Sequence, residues 1–207
     1  VLAWSSVRFD AAAAPTGLPA VTRISVDRWA PGFALRRADR GDCLLLRVDA
    51  GRGWCEMDGR RHLLRPGAVL GVGPGQAHAF GADTAMRVQT AAFAGPHAAS
   101  LLARRLGAPA AVLDLATDRD LGLLFGVLHR LARRRRADGA VLAAHALHAL
   151  LIAVDQARAE SGAGEAAAAW QRAAERLAQA APPPGNVTEA ARCAGLSALR
   201  LARLCRV

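Results

Sequence analysis

Trp54 and Glu56 stand two apart in the segment GlyTrpCysGluMet, Gly53 to Met57. Side chains alternate along an extended strand, so the two project from one face. An aromatic platform beside a carboxylate suits a ligand that is polar yet partly apolar, such as a sugar or an amine. The alternative is that Trp54 fills the core. His78, which follows Pro74-Gly75, is either a hydrogen-bonding group of the same pocket or a turn histidine satisfied by backbone. Trp29 and Arg87 are further candidates to line it. Metal chemistry is not expected: Glu56, His62 and His78 are the nearby donors, and an open catalytic site needs about three ligands in convergent geometry. No nucleophile constellation stands out. The runs GlyValGly and GlyAlaGly lack the strand-to-helix setting and spacing of a phosphate loop. The expectation is therefore no catalytic residue, no metal and no cofactor.

The other stretch with chemistry in it is Asn186 to Val207, NVTEAARCAGLSALRLARLCRV. It predicts a helix, a short turn and a second helix. Thr188 is expected to cap the first helix through its hydroxyl, and Gly195 to end it in the left-handed conformation. Ser197 then caps the next helix, with Leu201 and Leu204 on its inner side. Arg200, Arg203 and Arg206 are its charged residues, and it has no acidic one. Such a helix can enter a DNA major groove; an ordinary two-helix corner is the other reading. Arg133 to Arg136 ends an earlier helix, where cations meet the negative end of the helix dipole. That run is either a solvated helix end or a contact for DNA or an acidic partner. His145, His148 and Asp155 fall on one helical stripe. They are either a metal or pH-sensing site at a dimer seam or hydrogen-bonded interface histidines.

These residues need elements to hold them, and the text changes period along the chain. Val21 to Gly95 is strand-like. Arg23 to Trp29 alternates with period two, Cys43 to Val48 reads as a buried strand, and Asp58-Gly59 is a strong hairpin turn. Closely spaced antiparallel strands of this kind suggest a small barrel or sandwich. From Pro96 to Ala159 the period becomes helical. Thr117 with Asp120 resembles a capping box, and Leu121, Leu124, Phe125, Leu128 and Leu131 repeat at helical spacing. A second long helix runs from Ala140 to about Glu160, with a wide apolar surface that includes Val141, Leu142, Leu147, Leu150, Leu151, Ile152 and Val154. An antiparallel helix pair of this kind offers a dimer surface. Ser161 to Gly164 reads as a flexible linker. Trp170, Ala174, Leu177 and Ala178 share a third helix face, which Pro182 to Gly185 breaks.

Composition narrows the classes further. The chain has 207 residues, 53% hydrophobic and 21% charged, with a formal net charge of +10. All 27 basic residues are Arg. The excess of cations fits a polyanionic partner, most plausibly nucleic acid. Cys43, Cys55, Cys193 and Cys205 form no CxxC pair and sit in apolar settings, which argues against a disulfide framework and for a reducing cytoplasm. The N-terminus lacks the order of a signal peptide. The most apolar run, Ala140 to Val154, reads as too short to span a bilayer. Beginning with Val and ending inside a helix pattern, the chain reads as a fragment truncated at both ends.

Two motifs carry a resemblance. ArgProGlyAlaValLeuGlyValGlyProGlyGlnAlaHisAlaPhe, Arg65 to Phe80, resembles the second conserved motif of cupin barrels. AlaAlaArgCysAlaGlyLeuSerAlaLeuArgLeuAlaArgLeu, Ala190 to Leu204, resembles the first DNA-binding helix pair of the AraC/XylS class of transcription regulators. Trp54 to Glu56 occupies the strand where metal-binding cupins carry His-x-His, and lacks it. The family's second helix-turn-helix is absent, and Cys205 stands where the family usually has Phe. The resemblance implies an α+β chain: an N-terminal cupin-like antiparallel β-barrel with a helical dimerisation pair over residues 1–160, then a partial all-α helix-turn-helix domain over 165–207. It implies a small-molecule-responsive, sequence-specific regulator with Ser197, Leu199, Arg200, Ala202 and Arg203 on the DNA-binding helix. Double-stranded DNA, an effector and a second copy of the chain would be its partners, with no membrane association, in the cytoplasm. A stand-alone cupin-type binder or metal-dependent enzyme is the alternative.

Overall fold

The computed structural model describes residues 3–9, 17–38, 40–115, 119–134, 138–179 and 186–197. Its strands are β1 (Ala3–Arg8), β2 (Ala20–Trp29), β3 (Ala34–Arg37), β4 (Cys43–Ala50), β5 (Gly53–Met57), β6 (Arg60–Leu64), β7 (Ala68–Val72), β8 (His78–Ala82), β9 (Met86–Ala94) and β10 (Ala110–Asp114). Its helices are α1 (Ala98–Leu106), α2 (Arg119–Arg134), α3 (Gly139–Ala178) and α4 (Val187–Ala194). The chain divides into two compact units, Val1–Arg158 and Ala159–Val207.

In the first unit all strand pairing is antiparallel, in a six-stranded sheet β1-β2-β9-β4-β7-β10 and a four-stranded sheet β3-β8-β5-β6. Asp58 and Gly59 turn β5 into β6 with φ of 50° and 70°. Positive φ at both central residues is the twist-matching hairpin geometry that Asp-Gly was expected to supply. The strand β10 lies inside the zone expected to be helical. Its five residues, AlaAlaValLeuAsp, pair with β7 in full register, so an available sheet edge decided a segment too short to read by period.

The strands carry two separate cores. One lies between the sheets and holds Trp29, Leu44, Leu46, Val48, Cys55, Met57, Leu70, Phe80 and Val88. The other lies between the outer face of the larger sheet and the helices; it holds Ile24, Cys43, Leu45, Val69, Ala91 and Phe93 against Leu102, Leu121, Phe125, Leu128, Leu147, Leu150 and Val154. The larger sheet is therefore buried on both faces, and β4 reads as a continuous apolar run for that reason. An ion-pair clamp ties α1 to α3: Asp155 accepts from Arg105 at 2.9 Å and Arg158 at 2.8 Å, and Arg158 Nε donates to the Arg105 carbonyl at 3.0 Å.

Helix α3 differs from expectation in two ways. It runs unbroken through Ser161 to Gly164, where a linker was expected. Two glycines cost about 1 kcal/mol each relative to alanine, and the strong helix formers Glu165 to Ala169 that follow carry the helix across. The segment Gly139–Gly162, 24 residues with mean hydropathy 1.5, is also long and apolar enough by length and composition to cross a membrane. The expected limit of Val154 understated the run. Core helices meet the same criterion, and Ala143, Leu147, Leu150, Leu151 and Val154 of this segment are packed into the helical core. Val141 and Leu142 remain exposed.

In the second unit Asn186, not Thr188, caps α4: its side-chain oxygen accepts from the Glu189 N–H at 2.9 Å. The helix starts two residues earlier than expected, which places Thr188 inside the first turn. Gly195 ends α4 with φ of 69°, and the Leu196 N–H reaches back to the Ala191 carbonyl at 2.9 Å, closing the left-handed cap. Arg176 donates to the Ala194 carbonyl at 3.0 Å. Thr117, Arg135, Arg136, Pro182 to Gly185, Leu199, Arg200, Leu201, Ala202, Arg203, Leu204, Cys205 and Arg206 lie outside the described residues, as does the side chain of Trp170.

Candidate ligand cavity

The core between the two sheets leaves part of that space open. A cavity of about 310 Å³ opens there, lined by Ser6 of β1, Arg23, Ser25, Asp27 and Trp29 of β2, Phe33, Leu35 and Arg37 around β3, and Arg40, Leu44, Phe80 and Thr90. Strand β2 builds one wall by alternation: Arg23, Ser25, Asp27 and Trp29 face the cavity, while Ile24 turns to the helical core.

Three aromatic rings form the apolar part. Trp29 stacks on Phe80 at 5.0 Å with the planes 2° apart, and meets Phe33 at 4.9 Å. The polar part is a short chain of bonds. The Ser25 and Thr90 hydroxyls lie 2.5 Å apart, and Ser25 Oγ donates to Asp27 at 3.0 Å. Burial pushes the Asp27 carboxyl above its ordinary range, against the opposing hydrogen bond from Ser25. Arg40 is committed to Asp42, Nη2 to Oδ1 at 2.6 Å. Burial, then repulsion from Arg40, pulls Arg23 below the usual guanidinium value.

Of the expected pocket residues, Trp29 lines the cavity and Trp54, Glu56, His78 and Arg87 do not. Trp54 and Glu56 do share a face, but the outer one. In β5 it is Gly53, Cys55 and Met57 that are buried, with Trp54 and Glu56 partly exposed between them. Trp54 lies opposite Gly81 of β8, where a Cβ would come within 2.7 Å of its ring. The Arg61 guanidinium sits 4.5 Å above that ring. Glu56 is paired with Arg36 at 3.6 Å on the surface. Arg87 is exposed and pairs with Asp49 at 3.5 Å.

His78 is buried but lies beside the cavity lining. Its ring stacks on Phe80 at 5.7 Å, Nδ1 lies 2.9 Å from the Gln76 carbonyl, and Nε2 has no partner among the described residues. Burial pulls its pKa down, against the bond to Gln76. Among the described residues no group of three or more His, Cys, Asp and Glu could hold a metal ion. Glu56 faces out while His78 faces in, and Asp155 of the expected His145–His148–Asp155 stripe is taken by Arg105 and Arg158. Ser197 is exposed just beyond the Gly195 cap.

Residues 18–152 match the AraC-like ligand binding domain. The chain belongs to that family. Strands β2 to β10 and all of the cavity lining but Ser6 lie within this AraC-like ligand-binding domain. No curated protein matches the sequence. Similar solved structures include a predicted oxalate decarboxylase from Thermotoga maritima, at 14% identity and TM-score 0.34 over 35% of this chain and 66% of that one. A cupin superfamily protein from Desulfitobacterium hafniense has 17% identity and TM-score 0.36, over 45% of this chain and 80% of that one. The protein YhaK from Escherichia coli has 15% identity and TM-score 0.39, over 45% of each chain.

The missed residues had a signal. The alternation in Arg23 to Trp29 is visible in the sequence, with Arg23, Ser25, Asp27 and Trp29 as one set. What the sequence lacks is the knowledge that the helices take Ile24 from the other set, leaving the polar one to face inward.

Proposed function

We propose that the chain is the sensory part of a ligand-responsive transcription regulator of the AraC type. The observation that carries this reading is the cavity: an aromatic wall of Trp29, Phe33 and Phe80 faces arginines and hydroxyls inside a ligand-binding domain. A concave, mostly apolar site with a few convergent polar groups is the usual form of a small-molecule site. Burial pushes Cys43 up to about 11 and Cys55 up to about 12, so neither supplies a thiolate nucleophile near neutrality.

On this reading the segment from Ser197 onward reads DNA, with Leu199, Arg200, Ala202 and Arg203 on its recognition helix, and the chain acts in the cytoplasm. The exposed Val141 and Leu142 on α3 are the surface through which two copies would pair. Effector binding changes DNA affinity only if the effector binds the two arrangements of the dimer unequally.

The test is a titration of the chain, and of its longest natural form, against DNA from upstream of its own gene at two salt concentrations. Sequence preference over competitor DNA is expected. Arg203→Gln should relax it by ~1–3 kcal/mol if Arg203 reads a guanine, or weaken all sequences alike if it touches phosphate. Absence of any preference in both forms contradicts the regulator reading.

A further inference from the structure

We infer that the cavity selects a small, flat monocarboxylate, its ring lying along Trp29, Phe33 and Phe80 and its carboxylate held by Arg23 with Arg37 at the rim. This rests on the reading of the cavity as the effector site and adds the chemical class of the effector.

The charges of the lining carry the inference. Among the described residues Arg23, Arg37 and Arg40 face the cavity, against Asp27 alone among acidic ones. Arg40 is neutralised by Asp42, which also accepts from Thr22 at 3.3 Å. Asp27 is engaged by Ser25. Among the described residues neither Arg23 nor Arg37 has a carboxylate within ion-pairing distance. Arg23 is a half-buried guanidinium whose desolvation and repulsion by Arg40 and Arg37 outweigh its attraction to Asp42 and Asp27, an unfavourable arrangement that an anion relieves. Among the described lining residues, Arg23 and Arg37 against Asp27 leave one positive charge, which a monoanion cancels.

Shape narrows the class. Arginine's planar fork matches a carboxylate by two parallel hydrogen bonds. The parallel Trp29 and Phe80 rings offer flat apolar surface beside it. An engineered apolar cavity of ~150 Å³ accepts benzene, so about 310 Å³ takes one ring with a short acidic arm. A sugar would leave the arginines unpaired, and an amine would add to the positive charge.

Calorimetric titration with matched pairs tests this: benzoate and benzamide, phenylacetate and phenylacetamide, cinnamate and cinnamamide, together with phenyl phosphate. Each acid is expected to bind at least about tenfold more tightly than its amide, the scale of a hydrogen bond to a charged group. Arg23→Gln should abolish that preference and Arg23→Lys restore part of it. Arg37→Gln should reduce it less. Loss of an unpaired cation leaves the fold intact, so thermal unfolding of Arg23→Gln should not fall below that of the parent. Amides binding as well as acids, an undiminished preference in Arg23→Gln, or phenyl phosphate binding more tightly than benzoate overturns the carboxylate assignment. In each case ligand still binds, so the cavity reading survives. Binding of no member of the panel overturns both.

Discussion

Strands β2 and β5 follow the same rule and reach opposite results. Each alternates two sets of side chains, and each carries a tryptophan beside polar residues at period two. On β2 the polar and aromatic set faces inward, because helices α1, α2 and α3 cover the outer face of the larger sheet and claim Val21 and Ile24. On β5 the polar and aromatic set faces outward, because the interior takes Cys55 and Met57. Alternation thus tells which residues travel together. It does not tell which side they face; that depends on what covers each sheet.

The sharpest way to break the comparison is to truncate the two tryptophans. Trp29 is 4% exposed and sits between two aromatic rings. Trp29→Ala should cost about 3–5 kcal/mol of stability and abolish ligand binding, measured by urea unfolding and calorimetry. Trp54→Ala should cost about 1 kcal/mol, mainly its cover of Gly81 and its cation–π contact, and leave ligand affinity unchanged. Equal effects would mean that the two faces had been misassigned.

Next in size is the arginine pair. Arg87→Gln, on the outer face of β9, should leave binding of any acid within about twofold of the parent. Arg23→Gln should weaken it by about tenfold or more, since its charged hydrogen bonds are lost. An equal loss in both variants would point to long-range charge rather than a built site.

A smaller effect belongs to Asp27, whose carboxyl is raised by burial. A raised acid favours the native state at low pH, and that contribution is lost as pH climbs from 3.8 through the folded value. Asp27→Asn should therefore be more stable than the parent at pH 7, by less than about 1 kcal/mol, with the gap closing in acid. Asp155 supplies the opposite sign. Hydrogen bonds from Arg158 and Arg105 depress its pKa, so its contribution is full above 3.8 and fades as pH falls through the folded value. Asp155→Asn should be slightly less stable than the parent at pH 7, with the difference vanishing in acid. Chemical denaturation from pH 3 to pH 7 reads both.

Much of the fold was legible from local signals. The Asp58-Gly59 hairpin, the strand Gly53 to Met57, the onset of a strand at His78 and the Gly195 cap are each set by a few adjacent residues. Strand β10 was not legible, because five apolar residues carry no period and their pairing with β7 is a long-range matter. The continuous α3 was obscured by glycines whose local cost its alanine-rich neighbours outweigh. Of the cavity lining, Trp29 was among the expected pocket residues and Arg23, Ser25, Asp27 and Thr90 were not. The alternation of Arg23 to Trp29 was read without assigning either set to a face, and it is the polar set that lines the hollow. His78 is buried and stacks on Phe80, which lines the cavity, but is not itself part of the lining.

The most direct test of the inward β2 face is fluorine NMR on chain labelled with 5-fluorotryptophan, with resonances assigned by single substitution. Titration with benzoate should shift the Trp29 resonance progressively and leave Trp54 where it is. A shift at Trp54 with Trp29 unmoved would contradict the account.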